Sequence, residues 1–275
     1  DNSDDKSIYD HINDNRVKVI YEDDLFNTKK EDNQLPQRGQ MICVNKYYNI
    51  LKEYFEWFIS VDVDEFITTR KNSKNTIRCE LKSTFKDVDC IKIPWVMMSC
   101  NSREKNPNSI LLENTYRWDH NKKHPHDIRK LRCRYDEIEV KCIFKTNKFD
   151  KIDVHKPIYT YKKPLPIVVD SISKTEQKLD IYYNNLREED IENGYLLCYH
   201  YRIISVENCL HKMKRSIYSH FTLEDLIASD HPEIIDNTLK YKYCIIRFFH
   251  RYINLKRNKI SEPEPQPEPQ SKPEK

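Results

Sequence analysis

Ten residues, Trp57 to Phe66 (WFISVDVDEF), constrain the fold more than any others, because an apolar run leads straight into three carboxylates at Asp62, Asp64 and Glu65. Carboxylates at the end of a buried strand are costly unless a cation or hydrogen-bond donors compensate them. A chain carrying this segment must bring that strand end to a cleft. In extended backbone, residues two apart project to the same side, so Asp62 and Asp64 are expected to face the cleft together. Val63 is then expected to turn into the core, and Glu65 to lie on the side opposite Asp64. Paired carboxylate oxygens suit Mg²⁺ or Mn²⁺, hard ions that share their remaining positions with water and substrate phosphates. The acid pairs Asp4-Asp5, Asp23-Asp24 and Glu189-Asp190 follow no apolar strand and read as solvated.

Around this segment short apolar runs alternate with helical periods, the signature of an α/β domain. Residues 16–21 (RVKVIY) and 57–63 read as buried strands. Met41, Val44, Tyr48, Leu51 and Phe55 predict a connecting helix over about 37–54, hence a right-handed parallel crossover. Asn75 is placed to cap a helix over 76–85, and 88–98 reads as the next strand, with Pro94 marking an edge, a bulge or a strand end. Residues 110–170 lack a helical period and suggest an antiparallel extension of the sheet. Ser205 and Thr222, the latter with Asp225 in a capping box, open two helices, and Pro232 suits the first turn of a third over about 233–256. That helix carries Ile245, Phe248, Phe249, Tyr252 and Leu255 among many cations. Its basic 240–257 face could touch an anionic membrane, although an apolar stripe on the core with solvated cations outside is the simpler reading. The last residues, SEPEPQPEPQSKPEK, predict an extended, solvated tail.

Composition removes several function classes. A net charge of +3 is too small to make nucleic acid the default partner, and no apolar run is long enough to span a membrane. Two glycines in 275 residues exclude the Gly-rich phosphate loops of dinucleotide and Walker type, so any bound nucleotide needs another phosphate holder, such as a divalent ion. Nine cysteines without a C-x-x-C suggest neither a zinc site nor a disulfide framework. With no N-x-S/T acceptor present, a reducing setting is favoured, cytoplasm over Golgi lumen.

WFISVDVDEFI resembles the W-x-x-x-x-D-x-D-E-F signature of glycosyltransferase family 92 and its family-2-like relatives, enzymes of the GT-A fold. The opening DNSDDKS is similar to the end of that family's first strand, and Gln40 with its helix to a Q-x-x-x-x-N pattern. IPWVMMSCN resembles a strand bearing a Trp, VKCIFKTNKFDKIDVHKP a K-x-I segment ending in V-H, and CYHYRIISVENCLHKMKRS the closing H-Y-x-x-K-S-x-E-x-F-x-x-K segment. The chain departs from the pattern at Ser99, Cys100 and Asn101, where relatives carry a Gly-bearing turn, and at Ile204, where they carry Lys.

The resemblance implies a GT-A-like mixed, mainly parallel sheet flanked by helices, with its first strand lying before Asp1. It divides the chain into a transferase domain over 1–204, helices packed on it over 205–259, and the tail over 260–275. It also implies transfer of a hexose, galactose foremost, from a UDP-sugar to a glycan hydroxyl, with inversion and with Mn²⁺ or Mg²⁺ as cofactor. Asp64 would hold the metal, and Asp62 would contact the ribose or share the ion. His155 would supply a third ligand, with Lys141, His200 and Arg202, as well as Lys212 and Lys214, facing the diphosphate. Glu113 is the candidate base, and Glu65 a fold or acceptor-loop residue. Two other readings compete: a catalytically inactive transferase-like binding module, and a haloacid-dehalogenase-type phosphotransferase with Asp62 as nucleophile.

Overall fold

The computed structural model describes residues 12, 14–22, 36–123, 137–159, 164–214 and 221–246. In chain order these form helix α1 (Pro36–Leu51), strands β1 (Trp57–Phe58) and β2 (Glu65–Thr69), helix α2 (Ile77–Lys82), strand β3 (Cys90–Ser99), helix α3 (Ile110–Glu113), and strands β4 (Tyr116–Arg117) and β5 (Glu137–Lys145). The short strands β6 (Lys151–Ile152), β7 (Pro157–Ile158), β8 (Val168–Asp170) and β9 (Tyr182–Asn184) follow, then helix α4 (Glu188–Asn193) and strand β10 (Leu196–His200). Helices α5 (Val206–Met213) and α6 (Leu223–Ile227), strand β11 (Ile234–Ile235) and a helix over 238–246, α7, complete the described chain.

Among the described residues, nine strands form one sheet whose spine runs β1-β5-β3-β10-β2. Strand β3 lies in its middle, and all ten of its residues are buried, which explains why CIKIPWVMMS reads as a nearly unbroken apolar run rather than an alternating one. Its one charge, Lys92, is enclosed and donates to the Asp180 carboxylate at 2.6 Å and to the carbonyls of Lys178 and Tyr182 at 3.1 and 2.7 Å. Beside β5 a smaller cluster forms, in which Tyr48 of α1 packs edge-on against Phe58 and Phe144.

The mainly parallel GT-A-like sheet is not what forms. Among the described residues, six of the eight strand pairings in the sheet are antiparallel, and only β3 runs parallel to its partners β10 and β8. The expected crossover fails because its flanking strands do not exist: residues 16–21 form no strand and expose Val17 and Tyr21, and the strand expected over 57–63 stops after Phe58. Helix α1 does form where the apolar period placed it.

Smaller corrections have local causes. Thr76, not Asn75, caps α2, its hydroxyl accepting from the Cys79 N–H. Pro94 sits inside the central strand, where β3 changes its parallel partner from β8 (last paired at Lys92) to β10 (first paired at Trp95), so its missing N–H falls in a gap between ladders. Ser205 and Thr222 cap α5 and α6 as their sequences indicate. The chain after Pro232 first forms β11, paired with β4, and turns helical only at residue 238. That helix buries Leu239 and sends Lys242 into hydrogen bonds with Thr68 and Thr69, while Tyr241 and Ile245 are 63% and 56% exposed. The described start of the apolar stripe therefore does not face the core; its continuation through Leu255, like the Pro/Glu-rich stretch, lies outside the described residues. No helix among the described residues is long and apolar enough to cross a membrane.

Candidate active site

Asp62 and Asp64 sit on a turn that feeds a strand, β2, whose first residue is Glu65; they do not end a strand. The Glu65 N–H donates to the Asp62 carbonyl at 3.1 Å, and the Asp62 N–H donates back to Glu65 Oε2 at 2.8 Å. This reciprocal pair folds the chain between them, so Val63 is 97% exposed at the tip instead of turned into the core. It also swings the Glu65 carboxylate toward Asp62, so that Glu65 is not on the far side as extended geometry would put it.

Strand register then assembles the surroundings. Lys141 lies opposite Ile93, Trp95 opposite Cys198, and His200 opposite Glu65. Paired residues, and those two apart along a strand, share a face, so Lys141, Trp95, His200 and Glu65 come from four neighbouring strands onto one side of the sheet. Lys141 is enclosed there, and its ammonium donates to Asp62 Oδ2, Glu65 Oε2 and the Val154 carbonyl, each at 3.1 Å. An ammonium has three N–H groups, so none is left for the diphosphate role the sequence suggested. Burial pulls the Lys141 pKa down, but the Glu65 and Asp62 carboxylates outweigh it and hold it above its ordinary value. Burial pushes the Glu65 carboxyl up to about 7, against the opposing pull of Lys141 and of the Asp62 N–H.

Asp62 and Asp64 are held separately. The other Asp62 oxygen accepts from the Gln40 side chain at 3.2 Å, and the carboxylate is 42% exposed. Asp64 Oδ2 accepts from Lys212 at 3.2 Å, Oδ1 lies 3.8 Å from His200 Nε2, and the carboxylate is 24% exposed. His200 is packed with its ring 4.1 Å from that of Trp95, and burial, reinforced by Arg202 and Lys212, holds its pKa well below the ordinary value. Arg202 is half-buried and contributes its carbonyl to Lys212.

His155 is on the same side of the sheet but approaches other partners. Its Nδ1 is 3.2 Å from the Val140 carbonyl, its Nε2 is 3.9 Å from Glu139, and its ring packs on Trp95 at 5.4 Å. Burial, with Lys141 nearby, lowers its pKa to about 4. The imidazole beside Asp64 is thus that of His200. Glu113 is engaged by Arg103 at 2.9 Å and by the Ser109 N–H at 3.1 Å, and nothing links it to the acid turn.

Two residues of the Q-x-x-x-x-N pattern gain roles that spacing alone did not reveal. Gln40 reaches Asp62, and Asn45 makes paired hydrogen bonds to the backbone of Ile152, fixing α1 against the strand that precedes His155. Lys212, the Lys that ends the H-Y-x-x-K-S-x-E-x-F-x-x-K pattern, lands on Asp64. The glycine-free turn after β3 is built by Asn101 and Ser102 at φ 52° and 56°, the left-handed region that favours glycine. Asp230 stabilises it by accepting from the N–H groups of Cys100 and Ser102 at 2.9 and 3.1 Å.

The model of glycosyltransferase family 92 matches residues 2–225, a stretch that contains the acid turn, β3, Lys141, His200 and Lys212. The chain belongs to glycosyltransferase family 92. No curated protein matches it in sequence. Family 92 membership makes it a glycosyltransferase that binds a sugar donor and an acceptor, and sets the phosphotransferase reading aside. The donor set of this family 92 site suits a hard divalent ion, since two partly exposed carboxylates beside an imidazole can hold one that completes its shell with water and phosphate. Among the described residues no group of three or more His, Cys, Asp or Glu converges as a ready-made metal cage.

Proposed function

We propose that this family 92 enzyme transfers a hexose, galactose being the one the family resemblance favours, from a UDP-sugar to a glycan hydroxyl, with inversion. The observation that carries this reading is the pair of partly exposed carboxylates on one turn, Asp62 and Asp64, set beside His200 at one end of the sheet. Asp62, Asp64 and His200 would hold Mn²⁺ or Mg²⁺, which when bound neutralises charge growing on the departing diphosphate. Lys212 on Asp64 and Arg202 near His200 supply further positive charge toward the same group. Lys141 and Glu65 keep the turn in shape from beneath and touch no substrate. Glu65 is fully enclosed and so does not take the acceptor's proton; Glu113, 32% exposed beside Arg103, is the carboxylate proposed for that step.

A second reading has one observation in its favour: both acids already have an ammonium partner, Lys141 or Lys212, as they would in a module that binds glycans without turnover. UDP titration with and without Mn²⁺ separates the two. The enzyme reading expects Mn²⁺-dependent UDP binding that Asp64→Ala abolishes, and UDP-galactose hydrolysis that follows the same pattern. Metal-independent binding unaffected by Asp64→Ala overturns it.

A further inference from the structure

Two ammonium groups reach the acid turn, and they are not equivalent. Lys141 is enclosed in the sheet, and its three N–H groups go to Asp62, Glu65 and the Val154 carbonyl, so it is fixed in place. Lys212 comes from outside the sheet, on the last turn of α5, and its side chain is 15% exposed. Its ammonium donates to Asp64 Oδ2 at 3.2 Å and to the Arg202 carbonyl. The other Asp64 oxygen, Oδ1, lies 3.8 Å from His200 Nε2. A lysine at the rim of a site, on a flexible four-carbon stem, can leave one acceptor for another; an enclosed and saturated one cannot. Of the two counter-charges on the turn, Lys212 is therefore the exchangeable one.

An ammonium in that position opposes a divalent ion in two ways. It takes one of the two oxygens of a carboxylate that would hold the ion, and it is a like charge beside the other, on a group only 24% exposed where water screens weakly. Asp62 is matched in the same manner by Lys141. A lone Mn²⁺ thus meets two carboxylates whose charge is already compensated. A diphosphate changes the balance, because its oxygens accept from the same ammonium and its negative charge favours the ion. We propose that Lys212 is an exchangeable counter-ion for Asp64: it keeps a free divalent ion out of the empty site and passes to the diphosphate when the nucleotide arrives. Ion and nucleotide are then taken up together rather than in turn, and each raises the affinity of the other by the same factor. This deepens, and rests on, the donor-binding role proposed above for the site.

The test uses two binding measurements on the full chain at pH 7.5: Mn²⁺ alone, from the loss of the free-ion electron paramagnetic resonance signal, and UDP at saturating Mn²⁺, by calorimetry. Lys212→Met should move them in opposite directions. Mn²⁺ alone should bind about tenfold more tightly, the worth of one charge-assisted hydrogen bond no longer competing, and UDP about tenfold more weakly. Lys212→Arg keeps the charge and should bind Mn²⁺ alone as weakly as the unsubstituted protein does. A residue that merely supports the fold would weaken both ligands or neither. Unchanged or weaker Mn²⁺ binding in Lys212→Met overturns the proposal, and so does tighter Mn²⁺ binding with UDP affinity unaltered. Should Lys212→Met not fold, Lys212→Arg decides, since Mn²⁺ bound tightly with the charge retained also overturns it. UDP that binds none of these proteins defeats the transferase reading instead, which tells the two failures apart.

Discussion

Lys141→Met removes the charge under the acid turn while keeping most of the side chain's length, so its cost is electrostatic rather than a matter of packing. Lys141 is enclosed, and Glu65 behind it is fully enclosed, whereas Asp62 is 42% exposed and loses little when its partner goes. The stranded group is therefore Glu65. Breaking a buried pair by removing one partner costs about 3–5 kcal/mol when the other must stay charged. Glu65 escapes part of that cost by taking a proton, since its carboxyl is already pushed up to about 7 with Lys141 present. The sign follows from linkage. An acid whose folded pKa lies above its unfolded value stabilises the fold fully at low pH and loses that contribution as pH rises through the folded pKa. In the unsubstituted protein the loss is complete soon above 7; in Lys141→Met the pKa is higher still, so the loss continues at about 1.4 kcal/mol per pH unit. The substitution should cost about 1–2 kcal/mol at pH 6, the worth of its hydrogen bonds, and about 3–5 kcal/mol at pH 9. Urea unfolding followed by circular dichroism at the two pH values measures this, with an unchanged m-value as the check on two-state behaviour. Adding Glu65→Gln should flatten the pH dependence and leave the two substitutions coupled by about 1–3 kcal/mol. Equal costs at pH 6 and pH 9, or strict additivity, would refute the reasoning.

Other consequences can be measured on the same protein. His155, held at about 4 by burial and by Lys141, is neutral when folded, so stability should fall as pH drops from 6.5 toward 4, by up to about 3 kcal/mol, and His155→Gln should remove that slope from urea midpoints. Ser102→Gly relieves a left-handed residue while keeping the Asp230 hydrogen bond to its N–H, and should raise stability by about 0.5–1 kcal/mol; a loss would mean the turn is not strained. Arg117 bridges Glu188 and Asp236 inside the protein, so Arg117→Met should cost about 3–5 kcal/mol by thermal or urea unfolding, more than Lys122→Met at the exposed Lys122–Glu233 pair.

Much of the site was legible in sequence, but its geometry was not. The acidic cluster after an apolar run marked Asp62, Asp64 and Glu65 because such a cluster needs compensation, and the compensating groups are indeed there as Lys141 and Lys212. The extended-strand rule then misplaced Val63 and Glu65, because two hydrogen bonds between Asp62 and Glu65 outweigh the β preference of the valines and fold the segment into a turn. Strand direction was misread for a related reason. A helical period between apolar runs signals a parallel crossover only if both runs are strands, and 16–21 is not one. The partnership of His200 with Asp64 could not be read at all, since it depends on the register of strands far apart in the chain, whereas the caps at Ser205 and Thr222 are local and were readable.

Strand β10 is the late arrival that completes the middle of the sheet: it inserts between β3 and β2, and it carries the imidazole that meets the acid turn some 135 residues earlier in the chain. Loop closure over such a span is slow, and partners with high sequence separation join late in folding. During synthesis the chain up to residue 195 has an open edge on β2 and another on β3, with the acids already made and no histidine beside them. If the acid turn and His200 hold the donor as proposed, competence for donor binding is acquired in a single late step, and affinity for UDP would report whether a newly made chain has finished folding.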